Sequence, residues 1–167
     1  LGYPGGPAVE QLARSGNQTA HKFPVPMKGR DGCDLSFSGL KTAVRKQVLE
    51  LEAADALSEK AKADICASFQ YTVVQSLTDR VHHAIQSFKN SYPNGKHFVL
   101  AGGVAANQYI RSALQEVIVS YDMELVAPPI KLCTDNAAMI AWAGIEHLSI
   151  GNTSGMAFEP KARWPLS

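Results

Sequence analysis

Leu100-Ala101-Gly102-Gly103-Val104-Ala105-Ala106-Asn107 is the stretch that decides how this chain folds, because two different periodicities meet there. Ahead of it and into it, Phe98-Val99-Leu100-Ala101 is a short continuous apolar run, the pattern of a strand buried on both faces. After it, Asn107 precedes Ile110, Leu114, Val117 and Ile118, spaced as on one face of a helix. Two glycines stand at the junction, where the backbone can turn without a Cβ in the way. A strand passing through a glycine turn into a capped helix is the unit from which parallel sheets are built.

Downstream, Glu124 to Ala127 reads as a second strand ended by Pro128-Pro129. Thr134 or Asp135 is placed to cap a last helix over residues 136–148, and the tail from Gly151 is irregular. Upstream, Ser58 caps the longest helix, with Glu59 in its first turn and Ile65, Phe69, Val73, Leu77, Val81, Ile85 and Phe88 as its stripe. Tyr92-Pro93-Asn94-Gly95 stops it. A helix near residues 40–51 carries Leu40, Val44, Val48 and Leu51, and a short strand is expected over Asp34–Phe37. Phe23–Met27 suits an edge strand or an extended loop. A short helix with Pro7 near its start opens the chain. The order of strands and crossover helices indicates an α/β fold, a mostly parallel sheet covered by helices. Ligands in such sheets sit at the C-terminal ends of strands, which puts the turns after Ala101 and after Ala127 at one rim.

The chain has 167 residues, 46% hydrophobic and 19% charged, with a formal net charge of +1. That is the composition of a globular domain, with no global excess to announce a nucleic-acid or membrane partner. A nucleic-acid contact would have to be a local patch. No apolar run approaches the roughly 18 residues of a membrane span. Cys33, Cys66 and Cys133 are odd in number and far apart, which suits reduced thiols in a cytoplasmic setting. The opening Leu1-Gly2-Tyr3-Pro4-Gly5-Gly6-Pro7 reads as the middle of a longer protein.

Four places could carry chemistry. The Gly102-Gly103 turn ahead of a helix offers free N–H groups to a phosphate, although a tight structural turn with Asn107 as a plain cap has the same pattern. Asp135 could bind a cation or could simply cap a helix. Gly5-Gly6-Pro7 with Glu10 is a second glycine turn, in which Glu10 either accepts ribose hydroxyls or is a solvated first-turn residue. Lys41, Arg45 and Lys46 form a small basic face that either meets phosphates or faces water. Cys133 reads as a small buried hydrophobe. His82 and His83 point about 100° apart on their helix and read as surface residues. No Ser-His-Asp or Cys-His arrangement stands out.

Five segments taken together resemble one family. Tyr3–Pro7, Leu35–Thr42, Leu100–Asn107, Cys133–Ala141 and Arg163-Trp164-Pro165-Leu166 occur in the order seen in bacterial members of the TsaD (Gcp) family. The resemblance runs from residue 3 to residue 166 and implies an actin-like ATPase (ribonuclease H-like) fold of two lobes, of which residues 1–167 would be the C-terminal one. It implies transfer of a threonylcarbamoyl group from threonylcarbamoyl-adenylate to the adenosine beside the tRNA anticodon. By motif, Gly6, Glu10, Gly102, Gly103 and Asn107 would contact the adenine nucleotide, and Asp135 would ligate one divalent metal ion, iron or zinc. The implied partners are tRNA and the pathway proteins TsaB and TsaE, the latter two mainly through the other lobe.

The family's His-x-x-x-His metal pair and its glycine-rich donor loop do not occur among these residues, so the chain alone is expected to be inactive. Two other readings stand beside this one: a kinase or carbamoyltransferase of the same fold, and a non-catalytic module that binds a nucleotide or a partner. No protease site supports the family's older designation as a glycoprotease.

Overall fold

A computed structural model describes residues 1–159 and 161–163. The chain divides into two compact units, Leu1–Thr134 and Asp135–Ser167, and each is treated by itself. The ending motif at Trp164-Pro165-Leu166 lies outside the described residues.

The first unit is organised around one helix. Helix α3, Glu59–Ser91, follows α1, Gly5–Ala13, and α2, Ser38–Ala53. Its 33 residues span about 50 Å at 1.5 Å per residue. It starts where expected: the Ser58 hydroxyl accepts from the Ala61 N–H at 3.2 Å, and Glu59 lies in the first turn. It ends at Tyr92, ahead of a proline that cannot continue it.

Strand β1, His97–Val99, and strand β2, Glu124–Val126, pair in parallel, with Val99 opposite Val126. Between them run a 3-10 turn, Gly103–Ala106, and helix α4, Gln108–Ser120. Val74 and Ile85 of α3 pack against Ile110, Leu114 and Ile118 of α4 and against Met123, with Phe98 and Leu125 from the strands at the margin. This is the main core. A smaller one joins Ala13 of α1 to Cys66 and Ala67 of α3. The chain passes so close there that a Cβ on Gly16 would lie 2.0 Å from the Ala63 carbonyl oxygen, so only glycine fits.

Helix α3 is not a simple apolar stripe. Ser68, Thr72, Ser76 and Arg80 are buried at four-residue spacing. Ser68, Ser76 and Arg80, with Asp79, hold the segment from Asn17 to Gly32 on the helix, while Thr72 donates back to the Ser68 carbonyl. Ser68 accepts from the His21 N–H and donates to the Asn17 carbonyl, and Ser76 donates to the Pro26 carbonyl at 2.8 Å. Arg80 donates to the carbonyls of Arg30 at 2.7 Å and Gly32 at 2.8 Å. Several of the segment's backbone groups thereby find partners without a sheet.

Of the two forms open to Phe23–Met27, the structure takes the loop. One expectation is corrected: Asp34–Phe37 is not a strand, and its residues are exposed, apart from half-buried Phe37. No neighbouring strand supplies them with ladder hydrogen bonds among the described residues. A second correction concerns β1. Val99 is 69% exposed while Phe98 is half-buried, so the strand is covered on one face only. Among the described residues the sheet has just two strands, with helices α3 and α4 against one side.

In the second unit, helix α5, Ala137–Ser149, begins at Asn136, whose side chain accepts from the Met139 N–H at 3.0 Å. The cap is therefore Asn136 and not Thr134 or Asp135. The asparagine side chain reaches the third N–H of the helix, as a cap must. No helix among the described residues is long and apolar enough to cross a membrane.

Candidate functional site

The parallel pairing of β1 and β2 sends both chains out of the sheet at the same edge. The glycine turn follows β1, and Pro128-Pro129 follows β2, so the two turns share the rim that the sequence predicts. Arg111, on α4, ties them together. Its Nε donates to the Ala105 carbonyl at 3.0 Å, and its guanidinium lies 3.4 Å from the Cys133 sulfur. Sequence reasoning passed over Arg111. Its position four residues after the cap is the only local signal, and nothing in the pattern says where the guanidinium reaches.

Gly102 has φ +87, a conformation that L side chains rarely adopt, whereas Gly103 has ordinary backbone. A Cβ on Gly103 would meet nothing within 4 Å. The turn thus requires glycine at 102 for backbone reasons, and at 103 it leaves open space beside the main chain.

Helix α4 begins one turn further on. The Asn107 Oδ1 accepts from the Ile110 N–H at 3.0 Å, the expected cap. Its Nδ2 donates to Gln70 Oε1 at 2.9 Å, and Gln70 is itself buried on α3. The Glu10 carboxylate reaches across from α1 and accepts the Gln108 N–H at 2.9 Å. A carboxylate facing free N–H groups at a helix start is electrostatically favoured. Glu10 is therefore neither a solvated residue nor an isolated one. The fold brings it to Asn107, residues that stand 97 positions apart in the chain.

A cleft of ≈ 610 Å³ opens beside this junction, lined among others by Arg14, Gln18, Gln70, Tyr109 and Ser112. The Tyr109 hydroxyl donates to Gln18 Oε1 at 2.7 Å, and burial pushes its phenol up from the ordinary value. Tyr109 is a neutral donor at physiological pH. Gly6, Gly102 and Gly103 do not line this cleft. Gly6 lies in the first turn of α1, where an added Cβ would meet nothing within 4 Å.

Cys133 is buried and Cys66 is buried with its thiol pushed up by desolvation; both are free, as is exposed Cys33. His82 is exposed and pairs with the Tyr121 hydroxyl at 2.9 Å, and His83 lies against the Asp79 carbonyl at 2.8 Å. Neither faces the glycine turn's own partners. Asp135 belongs to the second unit and is exposed. No three His, Cys, Asp or Glu side chains gather to hold a metal ion among the described residues. One exposed carboxylate does not fit a resident divalent cation, which takes several donors.

Comparison with known proteins bears on these residues. A family model described as "TsaD: tRNA N6-adenosine threonylcarbamoyltransferase" matches residues 1–142. A protein of Rhodospirillum rubrum is 54% identical over 166 residues, covering 99% of this chain and 46% of its own length. One from Paramagnetospirillum magneticum is 48% identical over 166 residues, with 99% and 47% covered. One from Orientia tsutsugamushi is 51% identical over 172 residues, with 99% and 49% covered. All three are named tRNA N6-adenosine threonylcarbamoyltransferase. The chain spans about half the length of the curated relatives it matches.

Proposed function

This chain belongs to the TsaD family, and from that premise we propose that it forms one wall of the adenine-nucleotide cleft of a tRNA N6-adenosine threonylcarbamoyltransferase. In this reading residues 1–167 are the C-terminal lobe of an actin-like, ribonuclease H-like fold. The small parallel α/β unit with its glycine turn supports this reading.

The reaction joins the exocyclic amine of a tRNA adenosine to the carbonyl carbon of threonylcarbamoyl-adenylate. A C–N bond forms, the bond from that carbon to the phosphate oxygen breaks, AMP leaves, and the amine gives up a proton. Catalysis of such a transfer rests on holding donor and acceptor in register.

The observation that carries the proposal is the meeting of Glu10, Asn107 and Gln70 at the start of α4, directly after the glycine turn. Glu10 and Asn107 keep capacity for a ligand. Among the described residues Glu10 Oε2 and the second Asn107 N–H have no partner, and the open side of Gly103 admits backbone-to-phosphate approach. Glu10 would accept ribose hydroxyls, while Gly6, Gly102, Gly103 and Asn107 flank the nucleotide.

The iron or zinc implied by the family resemblance would need donors beyond the described residues, and no step here runs through it. Asp135 would contribute one carboxylate to such a set. TsaB, TsaE and tRNA are the partners, and the cytoplasm is the location that a tRNA-modifying enzyme implies.

The experiment is calorimetric titration of adenine nucleotide or threonylcarbamoyl-adenylate into the enzyme of full family length, wild type and Gly103→Val. The valine side chain projects into space that is empty of protein, so the fold should survive while affinity falls at least about tenfold. Retained affinity would leave the glycine turn a structural feature only.

A further inference from the structure

The net charge of +1 conceals a polarity along the chain. Between His21 and Lys46 stand six Lys or Arg against two Asp, Asp31 and Asp34. The remainder holds ten Lys or Arg against thirteen Asp or Glu and is net acidic.

Pairing sharpens the contrast. Outside that stretch, Arg14, Lys60, Lys62, Arg80 and Lys96 each lie within 4.0 Å of a carboxylate, while Lys89 and Arg111 bond backbone carbonyls. Inside it, only Lys46 does, at 3.7 Å from Glu50. Lys22, Lys28, Arg30, Lys41 and Arg45 are all exposed, and none has a carboxylate at that distance among the described residues. Five consecutive cations in the chain thus have no counter-charge within that distance among the described residues.

Their backbone is not free to wander. Lys28 Nζ donates to Gln75 Oε1 at 3.2 Å, the Gly29 N–H donates to Asp79 at 3.3 Å, and Arg80 holds the Arg30 carbonyl. Lys41 and Arg45 stand one turn apart on α2, on the same face of the helix. Exposed Ser36 and Ser38 add hydroxyl donors between the two groups of cations. Fixed cations without counter-charge, interspersed with hydroxyls, are what a phosphodiester backbone takes.

We propose that the exposed stretch from Lys22 to Lys46 receives the phosphodiester backbone of tRNA, with Lys22, Lys28, Arg30, Lys41 and Arg45 as its contacts. This rests on the transferase reading and names the surface that substrate uses.

The test titrates the chain against fluorescently labelled tRNA between about 50 and about 200 mM salt. Five contacts predict a log-log salt slope of roughly −4. Lys41→Gln with Arg45→Gln should reduce that slope by about two and weaken binding at least about tenfold, with an unchanged circular dichroism spectrum. Lys60→Gln with Lys62→Gln, which removes paired cations elsewhere, should change neither. Wild-type affinity in the first double variant would overturn the assignment, as would an equal loss in the second. So would failure of the wild-type chain to bind RNA at the lower salt, or binding to anionic phosphatidylglycerol vesicles alone. Nucleotide affinity, read separately through Gly103→Val, does not depend on this surface, so either reading can fail while the other stands.

Discussion

Both ends of the Asn107 amide are engaged inside the protein, one capping α4 and the other on Gln70. Asn107→Ala should therefore lower stability by about 1–2 kcal/mol from the cap alone, visible as a reduced Tm. Whether it also touches nucleotide is read from affinity measured where the variant remains folded; unchanged affinity there makes it purely structural. Gly102 and Gly103 separate in the same way. Gly102→Ala puts a side chain at φ +87 and should cost about 1 kcal/mol or more, whereas Gly103→Ala should be close to neutral for folding. Glu10→Gln tests a third role. The amide oxygen can still accept the Gln108 N–H, so the fold should hold, while the lost charge weakens nucleotide binding if Glu10 faces ribose. Asp135→Asn should leave α5 intact, because the cap is Asn136. The glycine turn at 102 and the cap at Asn107 were legible from residue type and spacing, whereas Glu10 stayed open between two readings. The Glu10 contact was not legible, because its partner stands 98 positions away.

Helix α3 shows what a periodicity reading leaves out. Its apolar positions were readable, but the buried Ser68, Thr72, Ser76 and Arg80 look on paper like a solvated face. They are buried because the segment from Asn17 to Gly32 lies on them. Arg80→Ala would leave the carbonyls of Arg30 and Gly32 without their donor and Asp79 without the guanidinium, a loss of roughly 3 kcal/mol. Urea denaturation measures it, and Arg80→Lys should rescue only in part, since one ammonium cannot reproduce the guanidinium fork. The same link has a pH signature. The Arg80 guanidinium, by its hydrogen bond, holds the Asp79 carboxyl below the usual carboxylate range, with the Gly29 N–H assisting. A carboxyl depressed in the folded state contributes stability that is present above its unfolded value of about 4 and lost as pH falls through the folded value. Stability should therefore fall between about pH 5 and pH 3 more steeply in the wild type than in Asp79→Asn. Equal slopes would remove Asp79 from the account. The expected strand at Asp34–Phe37 failed for a related reason: alternation marks a face, but a strand also needs a neighbour to bond with.

At the scale of the molecule, the chain covers 46% to 49% of the first relatives' length, and a nucleotide held from one side loses most of its buried contacts. Calorimetry on the 167-residue chain should detect weak adenine-nucleotide binding or none. Tight binding would favour a self-contained module over one wall of a cleft. The sequence by itself determined the helices, the caps of α3 and α4, the strand–glycine–helix junction and the family, because each is written in local periodicity or contiguous motif. Tertiary structure alone decided that Glu10 meets the start of α4, that Arg111 bridges the turns after both strands, and that a row of hydroxyls and Arg80 is buried. These depend on which distant segments the apolar core of α3 and α4 draws together. No local pattern encodes a partner fifty or a hundred residues away.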